Sequence, residues 1–174
     1  MRTFPSRKMP SFRHRLTRAQ QLQYDRSNAV SYVRVQVSPR LIRATELLEE
    51  ALSSGDRGRT EKLAQIICDE ICSALRVPPL RVTVNEVRPS DHRGELHGLY
   101  VPASRGKRDH VRVWMMTAKR EQVVAFRTFL RTLLHEMCHH LDYTLLRLRV
   151  SLHTDGFFKR ESSLFKQMVP SRPA

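Results

Sequence analysis

The chain reads as an α+β protein, and three features of its hydrophobic pattern say so. Two early segments carry a helical period, the middle alternates with a period of two, and a long amphipathic segment follows residue 125. Ser38-Pro39 offers an N-cap and a first-turn proline, after which Leu41, Thr45, Leu48 and Leu52 recur at helical spacing. "SSGDRGR" (53–59) interrupts that helix, and Thr60 is expected to cap the next. Its apolar stripe is Leu63, Ile66, Ile67, Ile71, Ala74 and Leu75. Cys68 and Cys72 lie on the same predicted helix and read as small core residues. "VPP" (77–79) ends the helices, and "RVTVNEV" (81–87) alternates as a half-buried strand does. "ELHGLYV" (95–101) is a second strand, weakened by Gly98. "HVRVWM" (110–115) is a third, reached through the basic turn "PASRGKRD" (102–109). Phe126, Leu130, Leu133, Leu134, Met137 and Leu141 form the stripe of the long helix, and a last helix is expected from about Phe157 to Met168.

The length of 174 residues suits one domain, and a second full core would be crowded. Mean hydropathy is -0.46. No run approaches the roughly 18 apolar residues of a spanning helix, so no membrane partner is expected. The first twenty residues lack the apolar core of a secretory signal; they are Arg-rich and acid-free, a composition shared with organellar transit peptides. The simpler reading makes residues 1–37 a basic, loosely attached arm, with the folded domain at 38–170. Three cysteines, none in a Cys-x-x-Cys, imply free thiols and a reducing, cytoplasmic setting. The formal charge of +14 is uneven: residues 1–43 hold ten Lys/Arg against Asp25 alone. Non-specific nucleic-acid contact through this arm is the expectation.

The chemistry concentrates in "LLHEMCHHLDY" (133–143). His135 and His139 are four apart on the predicted helix, so both rings project from one face and can take adjacent corners of a tetrahedral zinc. Glu136 is turned about 100° from His135 around the helix, which sets it beside a metal rather than on it. From there it can hold a water and accept its proton, the logic of H-E-x-x-H hydrolases. His140 points away from the pair, and Cys138 reads as packing. Candidates for a third ligand are Asp142, His153, Asp155 and Glu161. Asp142, one turn beyond His139, suits a contact to an imidazole N–H better than ligation. His153 follows a chain reversal that can return it to the metal, Gly156 permits a tight turn, and Phe157 and Phe158 can anchor the segment. His153 is favoured, with Glu161 the alternative. Tyr143 and Arg160 are candidate donors to an oxyanion.

"LLHEMCHHLDY" followed by "SLHTDGFFKRE" resembles the SprT/Spartan-like zinc metallopeptidases of the zincin clan. The resemblance covers about residues 80–170. It implies a compact zincin-like domain with N-terminal helices, a three-stranded sheet, a long active-site helix and a C-terminal helix. It also implies His135, His139 and His153 as ligands of Zn2+, Glu136 as general base, and a protein or peptide substrate. In zincins the strand before the last lines the cleft and pairs with an extended peptide, a role that would fall to "LHGLYV" (96–101). Two departures stand out: Gly156 comes three residues after His153 where the family often writes His-Gly, and no cysteine follows Cys138 to build a C-terminal zinc module. The expected activity is that of a zinc endopeptidase. The alternatives are a basic nucleic-acid-binding protein with a structural zinc, or a latent protease whose arm or C-terminal segment covers its cleft.

Overall fold

A computed structural model describes residues 12–92, 94–104 and 106–169. A 3-10 turn at Phe12–Arg15 leads into helix α1 (Arg18–Ala29), which opens on a reciprocal cap. The Gln20 N–H donates to Thr17 Oγ1 at 3.3 Å, and the Thr17 N–H donates to Gln20 Oε1 at 3.0 Å. This helix falls inside the stretch expected to be a loose arm, and the described part of that stretch departs from the expectation. Ser27 is fully buried, and Val33 and Val35 beyond the helix join the core. The sequence carried little sign of it because the segment "RAQQLQYDRSNA" is polar on all sides and packs through hydrogen bonds. Residues 1–11 of the arm lie outside the described residues.

Helix α2 (Pro39–Ser53) begins as expected, with the Ser38 hydroxyl accepting the Leu41 N–H, and buries Leu41, Thr45, Leu48 and Leu52. Helix α3 (Arg57–Leu75) starts one turn earlier than the sequence suggested. Asp56 is its cap, taking the Arg59 N–H at 2.9 Å, whereas Thr60 is buried and donates its hydroxyl back to the Asp56 carbonyl. Cys68 and Cys72 are buried core residues. Burial pushes the Cys72 thiol up to about 12.

Strand β1 (Arg81–Val87) is followed by a small hairpin of β2 (Ser90–Asp91) and β3 (Gly94–Glu95), then β4 (Gly98–Val101) and β5 (His110–Met116). The predicted strand 95–101 is therefore split. Glu95 pairs in the hairpin, the Leu96 N–H is spent on the Pro89 carbonyl, and only 98–101 join the main sheet. The sheet order is β1-β5-β4, with β1 parallel to β5 and β4 antiparallel to it, Gly98 opposite Val113 and Val101 opposite His110. Strand β4 is thus an edge.

Helix α4 (Phe126–Thr144) lies against β4 and β5, and α5 (Asp155–Met168) packs on α4 and α1. Leu130, Leu133, Leu134, Met137 and Leu141 are all fully buried, as their 3.6-residue period requires. The whole forms an α+β domain whose core runs between the sheet, α2, α3 and α4. Among the described residues no helix is long and apolar enough to cross a membrane.

Candidate metal centre

The outward face of α4 carries His135 and His139, and the return from α4 to α5 carries His153 to the same point. His153 Nε2 lies 3.0 Å from His135 Nε2 and 3.2 Å from His139 Nε2. The segment before α5 is held tightly enough to fix this. The Thr154 hydroxyl accepts the Phe157 N–H and meets the Ser27 hydroxyl at 3.1 Å, so His153 sits immediately before an anchored N-cap. Phe157 is fully buried beneath all three imidazoles, with ring centroids 4.8–5.0 Å away.

The opposite ring nitrogens are committed elsewhere. His135 Nδ1 faces Glu161 Oε2 at 3.0 Å, and His139 Nδ1 faces Ser151 Oγ at 2.7 Å. Ser151 in turn donates to Asp142 Oδ2, and Arg160 donates to Asp142 Oδ1. A hydroxyl that donates to a carboxylate is left to accept, so His139 carries its proton on Nδ1, and the Glu161 carboxylate sets the same tautomer on His135. Two Nε2 lone pairs therefore converge with His153 Nε2. A cation between them would relieve their mutual repulsion, which is the chemistry this donor set suits. Burial, and then the fields of His135 and His153, hold His139 down to about 3, and burial likewise lowers His153. A neutral imidazole is the form that ligates. His135, His139 and His153 are close enough together to bind a metal ion.

Of the other candidates, Glu161 faces His135 Nδ1 rather than the point where the three Nε2 atoms meet, and it is also paired with Arg131 at 3.6 Å. Asp142 serves an imidazole as expected, though through Ser151, which the sequence reading missed. No pattern marks a lone serine in a loop; only its place two residues before His153 hinted at it. Asp155 is exposed in the first turn of α5. Arg160 cannot reach an oxyanion: it is fully buried, bonded to Asp142 and to the Ser27 and Val30 carbonyls. Gly156 does not make a tight turn either. It lies in the first turn of α5, where a Cβ would stand 2.6 Å from the Ser27 carbonyl, so its role is to let α5 approach α1. His140 is buried, with Nε2 at 2.7 Å from the Pro78 carbonyl and Nδ1 at 3.3 Å from Asp109.

Glu136 is buried against β4 and lines the space beside the three imidazoles. Burial raises its carboxyl to about 7, opposed by His135 and by a backbone hydrogen bond at Tyr100. A Cβ at Gly98 would lie 2.5 Å from Glu136 Oε1 and 2.8 Å from the Thr132 methyl, so glycine is what allows the strand so near the carboxylate. Two hollows of about 360 and 370 Å3 flank this point, sharing Gly98, His135 and Glu136 in their walls. Together they form a groove along the unpaired edge of β4. Tyr100 and Tyr143 stack at 5.8 Å in its floor.

No protein-family model, curated protein or solved structure matches this chain.

Proposed function

We propose that the chain is a zinc-dependent endopeptidase of the SprT-like kind. The observation that carries this reading is the convergence of three imidazole nitrogens beside Glu136, in a groove bounded by a free strand edge. Three neutral histidines suit zinc, whose catalytic sites pair three protein ligands with one open position. A zinc ion held there would supply Lewis acidity to a water and to the scissile carbonyl. Glu136 takes the proton from the attacking water and returns it to the leaving amine nitrogen. Its place beside the three imidazoles suits such a shuttle. The edge of β4 offers backbone N–H and C=O groups that align an extended polypeptide across the groove. Tyr143 lines the same groove, its hydroxyl accepting the Ser151 N–H at 3.4 Å.

The alternative, a nucleic-acid-binding protein with a structural zinc, calls for a closed four-ligand site. Among the described residues the group that can hold a metal comprises three. The test is hydrolysis of casein, an unfolded protein, before and after chelation. Activity should vanish with the chelator and return with added zinc; activity that survives chelation, or none in zinc-loaded protein, contradicts the proposal.

A further inference from the structure

The solvent face of β1 and β5, beyond the far end of β4 from Glu136, is strongly basic. Arg81 pairs in register with His110, and Arg112 with Thr83. Ser104, Lys107 and Arg108, between β4 and β5, border this face and help line an open cavity of about 850 Å3, whose cations are Arg81, Lys107, Arg108 and Arg112. All four are exposed, and among the described residues none has a carboxylate partner. Asp69 also lines the cavity, accepting from Gln65 at 2.9 Å, so four cations stand against one carboxylate and the lining stays net positive. Their field is felt within the cavity: burial, then Arg112 and Arg81, lower His110, with Glu61 opposing them. Four like charges around one hollow repel one another and hold nothing together in the fold. Such an arrangement gains stability when an anion enters.

The shape favours a polypeptide over a nucleic acid. Single-stranded nucleic acid is held by aromatic platforms on which bases stack, and among the described residues no Phe, Tyr or Trp lines this cavity. Its neutral walls include Leu80, Val101 and Pro102, suited to the aliphatic stems of acidic side chains. The position is equally telling. Pro102 lines both this cavity and the groove beside His139. A chain extended along β4 passes from Gly98, at Glu136, to Val101, in the basic wall. At roughly 3.3 Å per residue that path is about 10 Å.

We infer that the cavity is an exosite for acidic side chains of the polypeptide substrate, about three to five residues from the cleaved bond. The inference rests on the peptidase reading for its substrate, but its test needs no hydrolysis. The full chain carrying Glu136→Gln is titrated by fluorescence anisotropy with a labelled peptide bearing a block of glutamates that far from an apolar centre. A control peptide has glutamines instead. The acidic peptide should bind about tenfold more tightly than the neutral one, a preference that high salt removes. Arg81→Ala/Arg112→Ala on the strands, and separately Lys107→Ala/Arg108→Ala on the loop, should each abolish most of that preference. Far-UV circular dichroism and zinc content check that both pairs fold, and two sets on different elements separate lost contacts from lost structure. Equal binding of the two peptides, or an undiminished preference in both double variants, overturns the exosite. So does an unlabelled oligothymidylate that displaces the peptide at lower concentration than the acidic peptide itself, since the occupant is then nucleic acid. Absent hydrolysis in the parent chain bears on the peptidase reading and leaves these binding outcomes decisive for the cavity.

Discussion

Two of the three imidazoles at the centre are aimed by different neighbours, His135 by Glu161 and His139 by Ser151, and these contacts predict a hierarchy of effects. His153→Ala removes a donor and should weaken zinc binding by orders of magnitude. Ser151→Ala and Glu161→Gln only release His139 and His135 from their Nδ1 partners, and each should cost roughly 10–100-fold in affinity. Chelator-competition titration of the three variants reads the order directly; a Glu161 variant worse than His153→Ala would make the glutamate the ligand. Glu136 has a separate signature in the metal-free protein. Burial raises its carboxyl to about 7 in the fold, against an ordinary 4.5. Its protonated form is the one the fold accepts, so its contribution to stability is full below about pH 4.5 and is lost as pH rises through about 7. Gln mimics the protonated acid at every pH. Metal-free Glu136→Gln should therefore be more stable than metal-free wild type at pH 8, by on the order of 2–3 kcal/mol, with the gap closing toward pH 4.5. Urea unfolding at several pH values measures it, and a gap that does not change with pH contradicts the burial of this charge. His139 acts in the opposite sense, but it is common to both proteins and cancels.

The contact between β4 and α4 is the element-scale feature on which the groove depends. Gly98→Ala forces a methyl into the space of Glu136 Oε1 and Thr132. Overpacking of this kind costs about 1–3 kcal/mol, and the strand and the carboxylate must part to relieve it. Zinc content should stay unchanged while hydrolysis falls by an order of magnitude or more; full activity in Gly98→Ala would show that the strand does not position Glu136. Elements with a strong period were legible in the sequence. The stripes of α2, α3 and α4 and the alternation of β1 and β5 identify themselves because burial alone selects those residues. The H-E-x-x-H face was legible for the same reason, since helix geometry fixes where residues four apart point. Pairing across the chain was not. Nothing local says that β1 runs parallel to β5 and leaves β4 at the edge, or that α1 docks on α5. That docking relies on Arg160, whose guanidinium reaches the Ser27 and Val30 carbonyls, and on the missing side chain of Gly156. A buried arginine and a glycine inside a helix look, in sequence, like a surface charge and a turn.

Over the whole molecule, one connected set of buried polar contacts ties the N-terminal helix to the candidate centre. It runs from the Ser27 carbonyl through Arg160, Asp142 and Ser151 to His139. The fold thus spends its most deeply buried ion pair on aiming a single ring nitrogen, and α1 is a structural support for the site. Arg81, Lys107, Arg108 and Arg112 line a separate cavity, away from the three histidines. Glu136 is the proposed base of a metal-dependent peptidase. The most direct measurement is casein hydrolysis by wild type and Glu136→Gln at equal, verified zinc content. An amide cannot accept the proton of the attacking water, so the variant should retain zinc and fold while losing turnover by at least about two orders of magnitude. Turnover in Glu136→Gln equal to that of wild type would contradict the account.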